Sequence, residues 1–156
     1  MAYDKSVLDN LPAQVDTILA THSDRDTILY EICRLLSSTV PVYDWVGFYI
    51  ADPEVPRELY LGPYVGEATD HTRIPFGKGI CGQVAESLET FVVEDVHAQD
   101  NYLSCNIHVK SEIVVPILKN GEFVAQLDID SNTLAAMDAH DQRVLEAICA
   151  KLSPLF

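Results

Sequence analysis

The apolar positions of this chain change period twice. From Asp4 to Thr21, Val7, Leu8, Leu11, Val15, Ile18 and Leu19 recur at helical spacing. That spacing predicts a first helix, with Pro12 marking a break or an early turn. A second helix is expected over about Asp26–Ser38, capped by Asp24 or Asp26, with Ile28, Leu29, Ile32, Cys33, Leu35 and Leu36 inward. The middle then reads as strands: "DWVGFYIA", "RELYLGPYVG", "TFVVED", "SEIVVPILK" and "EFVAQLDIDS". Asn120-Gly121 between the last two is a strong hairpin signal. Helical period returns from about Asp138 to Leu152, with Val144, Leu145, Ile148 and Cys149 inward. Strands between terminal helices predict an α+β fold, a central antiparallel sheet with helices mainly on one face.

Two stretches without period, Glu67–Gly79 and Asp95–Lys110, are predicted as long loops, and loops of that length in a compact domain usually carry function. No repeat, linker or low-complexity tract divides the 156 residues, so one domain is expected. Hydrophobic content of 48% and charged content of 22% are globular values. The 24 acidic residues against 10 basic ones, a net charge of −14, argue against nucleic acid and anionic membrane as partners. The N-terminus has no basic and apolar leader pattern, and no run approaches a membrane span, so a cytoplasmic protein is expected. Thiols stay reduced there, and the four cysteines are not read as a structural disulfide framework.

Cys33 and Cys149 sit on apolar helix faces and are expected in the core. Cys81 lies in "KGICG", ahead of a short helical stretch "QVAES". A helix N-terminus and Lys78 nearby would both lower its pKa. Cys105 lies in a polar loop between Ser104 and Asn106, with His97 and His108 near in sequence, and is a candidate nucleophile. No CxxC or HxxxH pair supplies two ligands from one element, so no metal is expected.

The strand period of two puts Asp128 and Asp130 on one face of "VAQLDIDS", with Val124 and Gln126, and Ala125, Leu127 and Ile129 on the other. Glu112 shares its face with Val114, opposite Ile113, Val115 and Ile117. One sheet face is therefore apolar and the other carries three carboxylates. Carboxylates sharing a pocket repel, which raises at least one pKa and keeps a proton available. In "DWVGFYI", Trp45, Gly47 and Tyr49 face one way and Val46, Phe48 and Ile50 the other. An aromatic wall beside carboxylates suits a small cation or a thioether-like methyl group.

In order, "DWVGFYI", "LGPYVG", "RIPFGKGICG", "VVEDVH", "SEIVVPI" and "LDIDS" closely resemble the free methionine-(R)-sulfoxide reductases, enzymes of the GAF fold. The resemblance covers about Asp44–Ser131, with compatible helices on both sides, and implies a single GAF-like domain over 1–156 with ligand-pocket loops on one sheet face. It implies that Cys105 is the catalytic cysteine and Cys81 a cysteine able to pair with it in a disulfide. Glu112, Asp128 and Asp130 match pocket acids, and Trp45 and Tyr49 match aromatics of the substrate site. The implied activity reduces free L-methionine-(R)-sulfoxide through a sulfenic acid and a disulfide. The implied reductant is thioredoxin or another external dithiol, with no bound cofactor, and the implied assembly is a homodimer. Two positions depart from the pattern. His71 stands in "DHTRIP" where many members carry a third cysteine, and "NIHVK" after Cys105 replaces a run of small residues. The competing class is a non-catalytic GAF sensor that binds a small molecule.

Overall fold

The computed structural model describes residues 3–103 and 106–156. The first apolar run divides at Pro12. A short 3-10 turn, Lys5–Leu8, precedes helix α1, Leu11–Thr21. Pro12 lies in the first turn of α1, where its missing N–H would have no partner in any case. Helix α2 spans Arg25–Thr39 and begins where expected, because the Asp24 carboxylate accepts from Thr27 N at 2.9 Å. Helix α4, Ala139–Leu152, starts with reciprocal bonds between Asp138 and Asp141 across its first turn.

Between them lie strands β1 (Trp45–Ala51), β2 (Glu58–Val65), β3 (Arg73–Pro75), β4 (Phe91–Val93), β5 (Ser111–Lys119) and β6 (Glu122–Ser131). They form one antiparallel sheet in the order β3-β2-β1-β6-β5-β4. Asn120 and Gly121 both take positive φ, 54° and 80°, which gives the β5–β6 hairpin the twist its strands need. Strand β3 falls in a segment expected as loop. It is only three residues long, and the Arg73 guanidinium ties it to Glu58 and Asp52 beside β2.

Val46, Phe48 and Ile50, with Ile113, Val115, Ile117, Ala125, Leu127 and Ile129, bury one sheet face against α2 and α4, on which α1 packs in turn. Cys33 and Cys149 lie in this core at 0% and 2% exposure, as expected. Helix α3, Gly79–Ser87, packs on the opposite face, over β5 and β6, through Ile80, Cys81, Val84 and Ala85. The acidic face is therefore covered rather than solvated.

The N-terminal turn is fastened to α4 by one buried carboxylate. Asp141 accepts from Tyr3 Oη at 2.6 Å, Tyr43 Oη at 2.7 Å and Lys5 Nζ at 2.5 Å. Burial alone would raise its pKa. The Lys5 ammonium and Tyr3 hydroxyl, with the Asp138 amide and Tyr43, outweigh burial and hold it at about 2, below the ordinary 3.8. A depressed folded pKa stabilises the fold above the unfolded value. The difference corresponds to about 2 kcal/mol at neutral pH, lost as pH falls from about 4 through about 2. Urea titrations at several pH values should show this slope in the wild type and a shallower one in Asp141→Asn.

Candidate active site

The site is assembled by strand register. Across β1, β6 and β5, Trp45 lies opposite Asp130, and Asp130 opposite Glu112; two residues further along, on the same face, Gly47 lies opposite Asp128, and Asp128 opposite Val114. Three carboxylates and an indole thus share one end of the covered face. Glu112, Asp128 and Asp130 are 4%, 1% and 2% exposed. Glu112 hydrogen-bonds to both aspartyl side chains. Asp128 Oδ1 and Asp130 Oδ1 have no hydrogen-bond partner among the described residues. Burial, and then the charge of Asp128, push the Asp130 carboxyl well above its usual range, and burial raises Asp128 as well. The cluster is built to retain a proton, as the sequence led one to expect.

Helix α3 brings Cys81 onto this cluster, and its thiol donates to Asp128 Oδ2 at 3.3 Å. The expected lowering of its pKa is overturned. Burial, followed by the charges of Asp128, Glu112 and Asp130, pushes the thiol well up. Cys81 is 5% exposed and faces three carboxyls, and these outweigh anything Lys78 and the helix start could supply.

Trp45 stacks on Tyr64 at 5.4 Å between centroids and on Tyr49 at 6.3 Å. The indole lies over Gly47, where an added Cβ would come within 2.4 Å of Trp45 Cη2, so the wall requires glycine there. Its Nε1 donates to the Glu67 carbonyl at 3.0 Å, and Tyr49 Oη donates to the His71 carbonyl at 2.8 Å. Those two bonds strap the loop between β2 and β3 to the aromatic wall.

The second long loop is pinned by a residue that sequence reasoning missed. Asn101 Oδ1 accepts from Gly79 N at 2.8 Å, and its Nδ2 donates to the Gly77 carbonyl at 2.7 Å. Gln83 Nε2 donates to the Asn101 carbonyl at 2.9 Å, and Leu103 packs where a side chain on Gly79 (φ +65°) would stand. Asn106 on the same loop reaches across to the Glu67 carboxylate. An asparagine in a polar loop carries no pattern in the sequence. Asn101→Ala should leave the melting temperature within a few degrees and slow turnover by about 10-fold, since it loosens the alignment of reacting groups. Steady-state kinetics beside a thermal melt would check this.

Two cavities flank the acids. One, of about 10 Å³, is lined by Cys81, Glu112, Asp128, Tyr49, His71 and Lys78, and has room for little more than one water. The other, about 160 Å³, is lined by Trp45, Asp44, Glu67 and Asp130. Leu103 lines the first and Asn106 the second. Of the residues expected in the site, the fold brings together Cys81, Trp45, Tyr49, Glu112, Asp128 and Asp130. Cys105 lies outside the described residues, and so does its pairing with Cys81. His97 and His108 are exposed and line neither cavity. No helix among the described residues is long and apolar enough to cross a membrane.

The GAF domain profile matches residues 24–153. The free methionine-R-sulfoxide reductase of Escherichia coli is 32% identical over 142 residues, 91% of this chain and 79% of that protein. A structure of free methionine-R-sulfoxide reductase from Neisseria meningitidis, in complex with its substrate, superposes with a TM-score of 0.91 at 34% identity, covering 99% of this chain and 91% of that one. The reduced form of the Staphylococcus aureus protein gives 0.86 at 34% identity, covering 94% and 93%. On this match of sequence and fold, the chain belongs to the GAF-domain free methionine-R-sulfoxide reductases, a family of oxidoreductases.

Proposed function

We propose that the protein reduces free L-methionine-(R)-sulfoxide to methionine, with Cys105 as nucleophile and Cys81 as resolving thiol. The observation that carries this reading is the buried, proton-retaining set of Glu112, Asp128 and Asp130 beside the Trp45 indole and a thiol. Thiolate attack on a sulfoxide sulfur stalls unless the oxygen is protonated as its bond to that sulfur breaks. The Cys105 thiolate attacks, Asp130 or Glu112 delivers the proton, and the oxygen ends on Cys105 as a sulfenic acid. The Cys81 thiol then condenses with it, releasing water and leaving a disulfide. An external dithiol, thioredoxin in the cytoplasm, reduces that bond. The cluster of Glu112, Asp128 and Asp130 holds the ammonium of a free amino acid, and the indole beside the larger cavity packs on its side chain. No bound cofactor takes part, and the working assembly is a homodimer.

The test supplies each sulfoxide epimer separately with excess dithiothreitol and counts methionine. The (R) epimer should be consumed and the (S) epimer left largely intact. Equal consumption of both would overturn the proposed specificity. Tight binding of the (R) epimer without methionine would replace the reductase reading by a sensor.

A further inference from the structure

The buried pocket carries far more negative than positive chemistry. Three carboxyls and a thiol share it, and Asp128 Oδ1 and Asp130 Oδ1, in residues 1% and 2% exposed, meet no donor among the described residues. Cys81 Sγ and one carboxylate oxygen each from Glu112 and Asp128 lie within 4.8 Å of one another. They arrive from three separate elements, α3, β5 and β6.

We propose that Cys81, Glu112 and Asp128 form a site for a thiophilic divalent cation of the zinc and cadmium class, and that its occupancy excludes the sulfoxide. A tetrahedral zinc with Zn–S about 2.3 Å and Zn–O about 2.0 Å separates sulfur and oxygen by about 3.5 Å. The Cys81–Asp128 contact is already 3.3 Å. The cation displaces the thiol proton and the proton retained among the acids, both of which leave to solvent, and takes Glu112 and Asp128 as its carboxylate ligands. One sulfur with two oxygens favours zinc or cadmium over magnesium and calcium, which take oxygen alone. The adjoining 10 Å³ cavity offers the fourth position to a single water. Binding itself is independent of the reductase reading, whereas the exclusion rests on it, so the two are measured separately.

The binding experiment titrates reduced, full-length protein with cadmium and follows the thiolate-to-cadmium charge-transfer absorption in the ultraviolet. One equivalent should develop the band in the wild type, in Cys105→Ser and in Cys33→Ser, and Cys81→Ser should lack it. Glu112→Gln/Asp128→Asn, which keeps the thiol, should bind about 10-fold more weakly or worse. A full band in Cys81→Ser, its loss in Cys105→Ser, or wild-type affinity in the double variant would overturn the site. For the exclusion, stoichiometric zinc should abolish reduction of free sulfoxide, and a chelator should restore it. Undiminished turnover by the zinc-loaded protein would overturn the exclusion. Inactivity with chelator present, while the cadmium band persists, would overturn the reductase reading and leave the metal site supported.

Discussion

Asp130→Asn and Glu112→Gln each lower the rate of sulfoxide reduction by about 10²-fold or more, the usual scale for removing a general acid. Burial and the neighbouring Asp128 charge push the Asp130 carboxyl well above its usual range, toward its protonated form. Glu112 bonds to both aspartyl groups. Both substitutions keep size and shape, so the aromatic wall and the strand register survive. They also remove a carboxylate whose burial is unfavourable, and the variants should melt no lower than the wild type. A large loss of rate without loss of stability separates chemistry from packing. Asp128→Asn acts differently: its Oδ1 faces no donor in the described residues, so a bound ammonium is its natural partner and KM should rise more than kcat falls. Wild-type rates in both Asp130→Asn and Glu112→Gln would remove the acids from the mechanism.

The parts of this site legible in the sequence were those with local causes. A period of two in "VAQLDIDS" put Asp128 and Asp130 on one face, and Asn120-Gly121 closed the hairpin that places Glu112 opposite Asp130. Alternation in "DWVGFYI" put Trp45 and Tyr49 beside the acids, but the register that sets Trp45 opposite Asp130 joins strands far apart in the chain, and no local pattern encodes it. Strand β3 was missed because three residues cannot display a period. The direction of the Cys81 shift was misjudged for a related reason. Lys78 and the helix start are visible in sequence, but burial against three carboxyls is a tertiary fact, and it wins. The donors of the proposed cation site come from two strands and a helix, a grouping that ligand pairs on one short element do not display. Asn101 had no signal beyond its residue type, since loop asparagines are common and only the fold shows what this one fastens.

Cys105→Ser should yield no methionine even in a single turnover with enzyme in excess, because the attacking atom is gone. Cys81→Ser should complete that first turnover and fail to cycle with thioredoxin, since its sulfenic acid has no thiol to condense with. The geometry adds a kinetic expectation. Cys81 is 5% exposed, tied to Asp128 at 3.3 Å, and held as a thiol by burial and three acids. A thiol so placed resolves slowly, so the wild type should accumulate a sulfenic acid that a dimedone-type reagent traps before the disulfide closes. Mass spectrometry of the trapped protein should place that adduct on Cys105 and, at later times, find a Cys81–Cys105 disulfide. Cys33→Ser and Cys149→Ser should lower stability without changing the rate, because both side chains sit in the α-helical core away from either cavity. A disulfide from Cys105 to Cys33 or Cys149, or full single-turnover activity in Cys105→Ser, would overturn the division of labour, since the core would then have to open for every catalytic cycle.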